Sequence, residues 1–390
     1  MSSLEICFFT SLFILFYTYL GYGMLLYILL SIKRLFFVKK DSQTLRSNLP
    51  EITLLVAAYN EKEYVDSKIA NSLSLHYPKD KLKLLWVTDG SNDGTPDILK
   101  TYTQVTVLHQ EQRKGKIAAI NRAMSFIDTP VVVFSDANTM LGPDSLNIIA
   151  KLFANPKTGC VSGEKRIFSK EKDMAAGAGE GLYWKYESLL KRWDAELNSA
   201  VGAAGELFAV RTELYQEVEP DTLLDDFIIS LRIAMSGYKI DYNPNAYAIE
   251  RPSANIREEL KRKIRIAAGG IQSIARLSPL LNIFKFGLLS FQYISHRVLR
   301  WTLAPLMLPT IFVLNTLLVG NGCFYQILFT IQLLFYCMAV TGWHLQSKNL
   351  NAKVLFIPYY FLMMNYSVYR GFARYISKSQ SVNWERAKRG

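Results

Sequence analysis

The sequence has little of what builds metal clusters and disulfide frameworks. Its four cysteines are Cys7, Cys160, Cys323 and Cys337; three lie inside apolar runs and none forms a C-x-x-C pair. That pattern excludes a disulfide scaffold and gives no zinc site. The four histidines, His76, His109, His296 and His344, stand singly and read as surface or interfacial residues rather than ligands. No internal repeat and no low-complexity segment occurs, so a repeat architecture is set aside. Charge is absent from residues 6–32 and, with His344 neutral, from residues 301–347.

What is present is a mixture. Half of the 390 residues are hydrophobic and a fifth are charged, which fits a soluble domain joined to membrane spans in a chain with room for two or three domains. Residues 6–32 can cross a bilayer with some tilt. They exceed a signal-peptide core and follow no basic n-region, so they predict a retained span. Lys33, Arg34, Lys39 and Lys40 come next, against Glu5 alone before. The positive-inside rule then puts the N-terminus outside and the following residues in the cytoplasm.

Residues 41–50 read as a polar linker. Residues 301–347 are too long for one span, and Gly320-Asn321-Gly322 divides them into two helices joined by a tight turn. Residues 354–369 are a third apolar run, interrupted by Pro358 and Asn365. Hydropathy favours a third span there, which leaves open the side of the basic tail (Arg370, Arg374, Lys378, Arg386, Lys388, Arg389). The net charge of +12 fits a face on anionic lipid more simply than a nucleic-acid partner, and none is expected.

From Glu51 the texture changes. Residues 52–58, 82–88, 105–108 and 131–134 read as strands separated by helical sequence, which predicts a parallel sheet covered on both faces. In such sheets ligand loops gather at the carboxyl ends of the strands. Tyr59-Asn60-Glu61, Asp89, Asp93 and Asp136 all fall at such ends. The loop Asp89-Gly90-Ser91-Asn92-Asp93-Gly94-Thr95 leads into a helix that starts at Pro96. That arrangement aims backbone N–H groups and a helix dipole at an anion, while its carboxylates suit base and ribose donors. Its composition is also that of an ordinary turn.

Beyond Asp136 the alternation stops. Residues 177–198 read as an aromatic helix with Trp184, Tyr186 and Trp193, Gly202-Ala203-Ala204-Gly205-Glu206 as a turn, and residues 207–210 as a strand. Asp136 and Asn138 could hold a hard divalent cation or make an Asx turn. Arg113, Lys114 and Lys116 could meet phosphate or line a solvated loop. Asp225-Asp226 opens a helix over residues 227–235. One acid serves as a cap, and a second could be a general base. Residues 257–276 and onward to Arg300 read as amphipathic helices along the headgroups. Their cluster Arg262, Lys263, Arg265 suits lipid headgroups or a diphosphate equally.

Taken together, these motifs resemble those of membrane-bound family 2 glycosyltransferases, the group that contains hyaluronan, cellulose and poly-N-acetylglucosamine synthases. Val56-Ala57-Ala58-Tyr59-Asn60-Glu61 looks like the first nucleotide-binding strand and loop of that family. Asp89 to Thr95 matches its D-G-S-x-D-G-T loop, and Arg113 to Asn121 its R-x-G-K-x-x-A-x-N segment. Asp136-Ala137-Asn138 stands at the D-x-D position, with Asn for the second Asp, and Asp225-Asp226 at the acidic pair.

The resemblance implies an α/β GT-A fold, a Rossmann-like mixed sheet with helices on both faces, and an inverting transfer from a nucleotide-sugar, UDP-linked, to a lipid-linked or growing saccharide. It implies a Mg²⁺ or Mn²⁺ ion on Asp136 and Asn138, and Asp226, beside Asp225, as the base. Ala57, Tyr59, Asn60, Glu61, Asp89, Lys116, Asp136, Arg262 and Arg265 would contact nucleotide and diphosphate.

It also implies an order of parts: a span with basic flank (1–40), a cytoplasmic catalytic domain (50–250), interface helices (251–300), C-terminal transmembrane helices (301–372) and a basic tail (373–390), all at an inner or plasma membrane. One departure stands out. Arg262-Lys263-Ile264-Arg265 fits the (Q/R)-x-x-R-W signature of polymerising members, but Ile266 replaces the Trp, which weakens the implication of processive synthesis.

Overall fold

The sheet is built around β1 (Ile52–Ala58), all seven residues of which are buried. A strand covered on both faces reads as an unbroken apolar run. It pairs in parallel with β2 (Leu82–Asp89) and β4 (Val131–Asp136), and β2 pairs in parallel with β3 (Val105–Gln110). The connecting helices are α3 (Lys62–Leu73), α4 (Thr95–Lys100) and α5 (Lys116–Met124), numbered after the two N-terminal helices described below. This structure is a computed structural model that describes residues 1–36, 49–168, 178–347 and 353–379. Lys39 and Lys40, linker residues 41–48, and Arg386, Lys388 and Arg389 of the tail lie outside the described residues.

The expected parallel sheet is parallel over one half only. Beyond β4 the order runs β3-β2-β1-β4-β7-β6-β8-β5, with β5 (Thr139–Leu141), β6 (Thr158–Ile167), β7 (Leu207–Arg211) and β8 (Lys239–Glu250). β7 lies antiparallel to both β4 and β6, and β8 lies parallel to β6 and antiparallel to β5. The sheet is therefore mixed, as the fold class implied by the resemblance requires. Helices α6 (Ser145–Leu152), α7 (Ala178–Leu197) and α8 (Asp225–Met235) complete this part. Two apolar layers flank the sheet, one holding Leu55, Val87, Phe134 and Ile228, the other Leu54, Val56, Trp86 and Val133. Each fully buried aliphatic side chain contributes about 1.5–3 kcal/mol.

The N-terminal apolar run is one continuous helical rod. It comprises α1 (Ser3–Phe16), a π-helical turn (Tyr17–Gly21) and α2 (Tyr22–Phe36). Ser2 and Glu5 form a capping box at its start, which satisfies two of the otherwise free N–H groups. Together, Ser3–Phe36 are long and apolar enough to cross a membrane.

At the other end, α9 (Ile256–Arg276) leads through short helices α10 (Ile283–Phe286), α11 (Leu288–Tyr293), a second π-helical turn (Ile294–Val298) and α12 (Leu299–Trp301) into α13 (Leu303–Leu318) and α14 (Cys323–Ser347). The regions Leu303–Asn321 and Cys323–Gln346 are the other two candidate spans among the described residues, and the turn between them falls at Gly320-Asn321-Gly322 as expected. The last helix, α15 (Lys353–Ile376), is not among these candidate spans. It packs in part on protein: Asn365 and Ser367 are buried, and Gly371 lies against Ala267 and Ala268 of α9. The apolar side of α9 is likewise covered, by α15 and by Leu223 and Leu224.

His296, expected at the surface or at an interface, lies between elements. It is fully buried, with Nδ1 2.6 Å from Asp194 and Nε2 3.2 Å from Glu187. Arg297 and Arg300 also bind Glu187, at 2.6 and 2.7 Å, and the Tyr22 hydroxyl donates to Asp194. This cluster ties α2 and α12 to α7. Burial raises the pKa of Glu187, but Arg297, His296 and Arg300 override it and hold the carboxyl well below its ordinary value.

Candidate active site

The loops after β1 and β2 are locked to each other. Asn60, in the left-handed region at φ 53°, donates through Nδ2 to Asn92 Oδ1 at 3.0 Å and accepts from the Asn92 N–H at 2.9 Å. Asp93 accepts from the N–H groups of Thr95 and Lys62 at 3.0 and 3.1 Å. Of the two loop carboxylates, Asp93 is thus spent on the turn. Asp89 faces the third loop, where its oxygens accept from the N–H groups of Lys114, at 2.9 and 3.1 Å, and Gly115, at 2.6 Å. Ala57, Tyr59, Asp89, Gly115 and Lys116 line a narrow slot beside it. Across this slot the Arg113 guanidinium lies 3.7 Å from the Tyr59 ring centre.

At the end of β4, Lys68 holds the Asp136 turn from behind. Its Nζ donates to Ser135 Oγ and to the Thr139 carbonyl, both at 2.7 Å. Burial pushes its pKa down to about 7, against the pull of Asp136. Lys116 opens α5 and reaches into the same place, with Nζ 3.0 Å from Asp136 and 3.5 Å from Asp225. Burial works against its charge, but Asp136 and Asp225 raise its pKa above the ordinary value. Asp225 is buried toward this ammonium. The Asp226 carboxylate lies beside Gly205, where a Cβ would sit 3.3 Å from its Oδ2. Burial, and then Asp225, push the Asp226 carboxyl up to about 7.

Lys116, Asp136, Asp225 and Asp226 line one cavity of about 1210 Å³. Of the residues singled out from sequence, Glu61, Lys116, Asp136, Asn138, Asp225, Asp226, Arg262 and Arg265 line it. Ala57, Tyr59 and Asp89 lie on the adjoining slot, and Asn60 serves the loop lock instead. Arg262 is engaged by Glu259, at 2.8 and 3.0 Å, whose pKa Arg262 and Lys263 hold at about 2 against burial.

Sequence reasoning missed a neighbouring cluster on the same wall, in which Lys165 binds both Glu206 and Glu250. Burial raises the Glu206 pKa, but Lys165 brings it down to about 2. Lys165 and Lys263 lie 5.9 and 5.3 Å from the Trp184 ring centre. The one signal for this cluster was an acid directly after the small-residue turn 202–205. Ile266 also lines the cavity, and Gly270, one turn further along α9, makes room for an indole. A Cβ there would meet Trp301 at 2.5 Å. An aromatic group therefore lines the same cavity as Ile266, although α9 does not supply it.

Among the described residues no three of His, Cys, Asp and Glu cluster as a cation cage. Asp136 and Asn138 offer oxygen donors. That set fits the mode in which Mg²⁺ or Mn²⁺ takes one or two carboxylates and completes its shell with water and substrate phosphates.

Residues 53–218 match the profile described as glycosyl transferase family 2. A poly-beta-1,6-N-acetyl-D-glucosamine synthase of Staphylococcus epidermidis is 27% identical over 254 residues, 62% of this chain and 59% of that protein. The enzyme of the same name from Staphylococcus aureus strain COL is 27% identical over 239 residues, covering 58% and 56%. The chain thus matches somewhat more than half the length of these relatives. In fold, a mannosyltransferase of Pyrobaculum calidifontis, solved with GDP-Man and Mn²⁺, superposes on 97% of this chain and 100% of its own with a TM-score of 0.71 at 22% identity. Residues 53–218 therefore form a family 2 glycosyltransferase domain, set in a GT-A fold that continues into membrane-type helices.

Proposed function

We propose that the protein is an inverting glycosyltransferase that moves a sugar from a nucleotide-sugar, UDP-linked, to a lipid-linked or growing saccharide at the cytoplasmic face of an inner or plasma membrane. The observation that carries the reading is the convergence of Asp226, Asp225, Lys116 and Asp136 in one cavity at the carboxyl ends of the strands. In this reading Ala57, Tyr59 and Asp89 border the base slot, and Glu61, Arg262 and Arg265 border the diphosphate. Lys116 neutralises charge that develops on the departing diphosphate. Asp226 takes the proton of the acceptor hydroxyl, and its raised pKa of about 7 matches a base working near neutrality. Asp136 and Asn138 would hold Mg²⁺ or Mn²⁺, which when bound acts as a Lewis acid on phosphate oxygens. Lys33 and Arg34, at the end of the first candidate span, support the cytoplasmic orientation.

A second reading, processive polymer synthesis, draws support from the names of the staphylococcal relatives and from Trp301, which lines the same cavity as Ile266. A donor screen on membranes that contain the protein, following nucleotide release with and without lipid-linked saccharides, tests the main reading. No release from any donor overturns it. Product length under excess donor separates single transfer from polymerisation.

A further inference from the structure

The large cavity does not end at the acids. It runs on between the first candidate span and α15, where Leu20, Ile357, Phe361, Met364 and Val368 line it. The α15 residues recur at spacings of four, three and four, on one face of the helix. At 1.5 Å per residue they make a wall roughly 16 Å long. Leu20 belongs to the first candidate span, Ser3–Phe36, so one wall of the arm is a helix long and apolar enough to cross a membrane.

Several polar groups along the arm are taken up by protein. Asn365 accepts from the Tyr19 hydroxyl at 2.8 Å and donates to the Phe361 carbonyl at 2.9 Å. Ser367 donates to the Met364 carbonyl at 2.6 Å, and Tyr186 to the Tyr19 carbonyl at 2.9 Å. A glycan strand would need such groups open, whereas a hydrocarbon chain does not. The neck between this arm and Asp226 is cationic: Arg297, Arg300 and Lys191 line it against Glu187. Two π-helical turns meet at the same place, joined by Tyr17 and Ser295 hydroxyls at 2.8 Å, and such turns recur at functional sites.

We propose that this arm is the binding site for the hydrocarbon chain of a phosphate-bearing lipid carrier of the acceptor, with the carrier's phosphate at the Arg297–Arg300 neck. The assignment rests on the transferase reading and names the acceptor's class within it: a long-chain polyprenyl phosphate, or its glycosylated form, entering from the bilayer.

The test is retention of a labelled long-chain polyprenyl monophosphate by the full chain in phosphatidylcholine nanodiscs. The competitors are the matching alcohol, phosphatidylglycerol and a soluble β-linked oligosaccharide. The polyprenyl phosphate should win over each competitor by roughly tenfold or more. Met364→Trp and Val368→Phe, which fill the arm, should each cut retention by a similar factor, while uridine diphosphate affinity, measured on the same samples, stays at the wild-type value and shows an intact nucleotide site.

Equal displacement by phosphatidylglycerol would make this a bilayer-lipid surface, and displacement by the oligosaccharide would make it a glycan passage; either result overturns the proposal. So does undiminished retention in a filled variant that still binds uridine diphosphate. Retention without nucleotide release from any donor would instead overturn the transferase reading and leave the lipid site standing. Transfer to a soluble saccharide without lipid retention would do the reverse.

Discussion

The Lys116 ammonium lies 3.0 Å from the Asp136 carboxylate, at the place where the family resemblance puts a divalent ion. A cation already resident there reduces the pull of Asp136 on a second one, so the metal should need the negative charge of the nucleotide diphosphate to bind. Electron paramagnetic resonance titration of Mn²⁺ should show weak binding to the protein alone and much tighter binding with uridine diphosphate. Lys116→Gln should bind Mn²⁺ more tightly without nucleotide than the wild type does. Tight nucleotide-free binding by the wild type would show that the lysine does not compete.

Asp136→Ala should abolish transfer and leave the fold and membrane insertion intact. Asp136 sits at a strand end and is only half-buried, and Lys68 still has Ser135 and Thr139 as partners. Asn138→Asp should raise metal affinity by restoring the second carboxylate. The checks are product formation with and without EDTA and a thermal unfolding curve. Full activity in Asp136→Ala, or wild-type activity untouched by EDTA, counts against the diphosphate assignment.

Asp89 has two jobs in prospect, and one substitution separates them. It clasps the 114–115 backbone and borders the slot proposed for the base. Asp89→Ala should weaken uridine diphosphate binding in calorimetry and also speed amide exchange at Lys114 and Gly115, whose N–H groups lose their acceptor. Faster exchange with unchanged nucleotide affinity would leave Asp89 as a loop clasp alone.

Much of this architecture was legible in sequence, and the exceptions share a physical cause. β1, β2 and β4 are apolar runs that end in polar loops, a pattern that reads directly. β8 alternates correctly, burying Ile240, Tyr242, Ala246 and Ala248, but Asn243-Pro244-Asn245 in its middle carries turn chemistry that masks the strand. β6 buries Thr158, Gly159, Ser162 and Gly163, and small polar residues give no apolar period. The mixed half of the sheet was hidden for that reason.

The motif residues of the candidate site announced themselves by spacing. Lys165, Glu206, Glu250, Arg297 and Trp301 did not, because each comes from a different element and only the fold assembles them. His296 read only as a surface or interfacial histidine because its partners, Glu187 and Asp194, lie about a hundred residues away in the chain.

Asp226 carries the sharpest prediction, because mechanism and stability oppose each other there. Successive helical residues do not share a face: Asp225 faces Lys116 and Asp226 faces Gly205. Burial, reinforced by Asp225, lifts the Asp226 pKa from 3.8 to about 7, so its folded-state value lies above its unfolded one. The protonated form is therefore the one that folding favours, and its stabilising contribution is present at low pH and lost as pH rises through about 7. A base must be ionised, so transfer should fall as pH drops below that same value.

Asp226→Asn is neutral at every pH. It should lower kcat by roughly 10²–10⁴-fold with donor affinity kept. It should also raise Tm relative to wild type at pH 8, with the gain shrinking toward pH 5. Asp225→Asn should lose less rate and show its deficit in KM or stability, because it strips a partner from the buried Lys116. The opposite ranking would move the base by one residue. Near-normal turnover in both variants would remove acid–base chemistry from this pair.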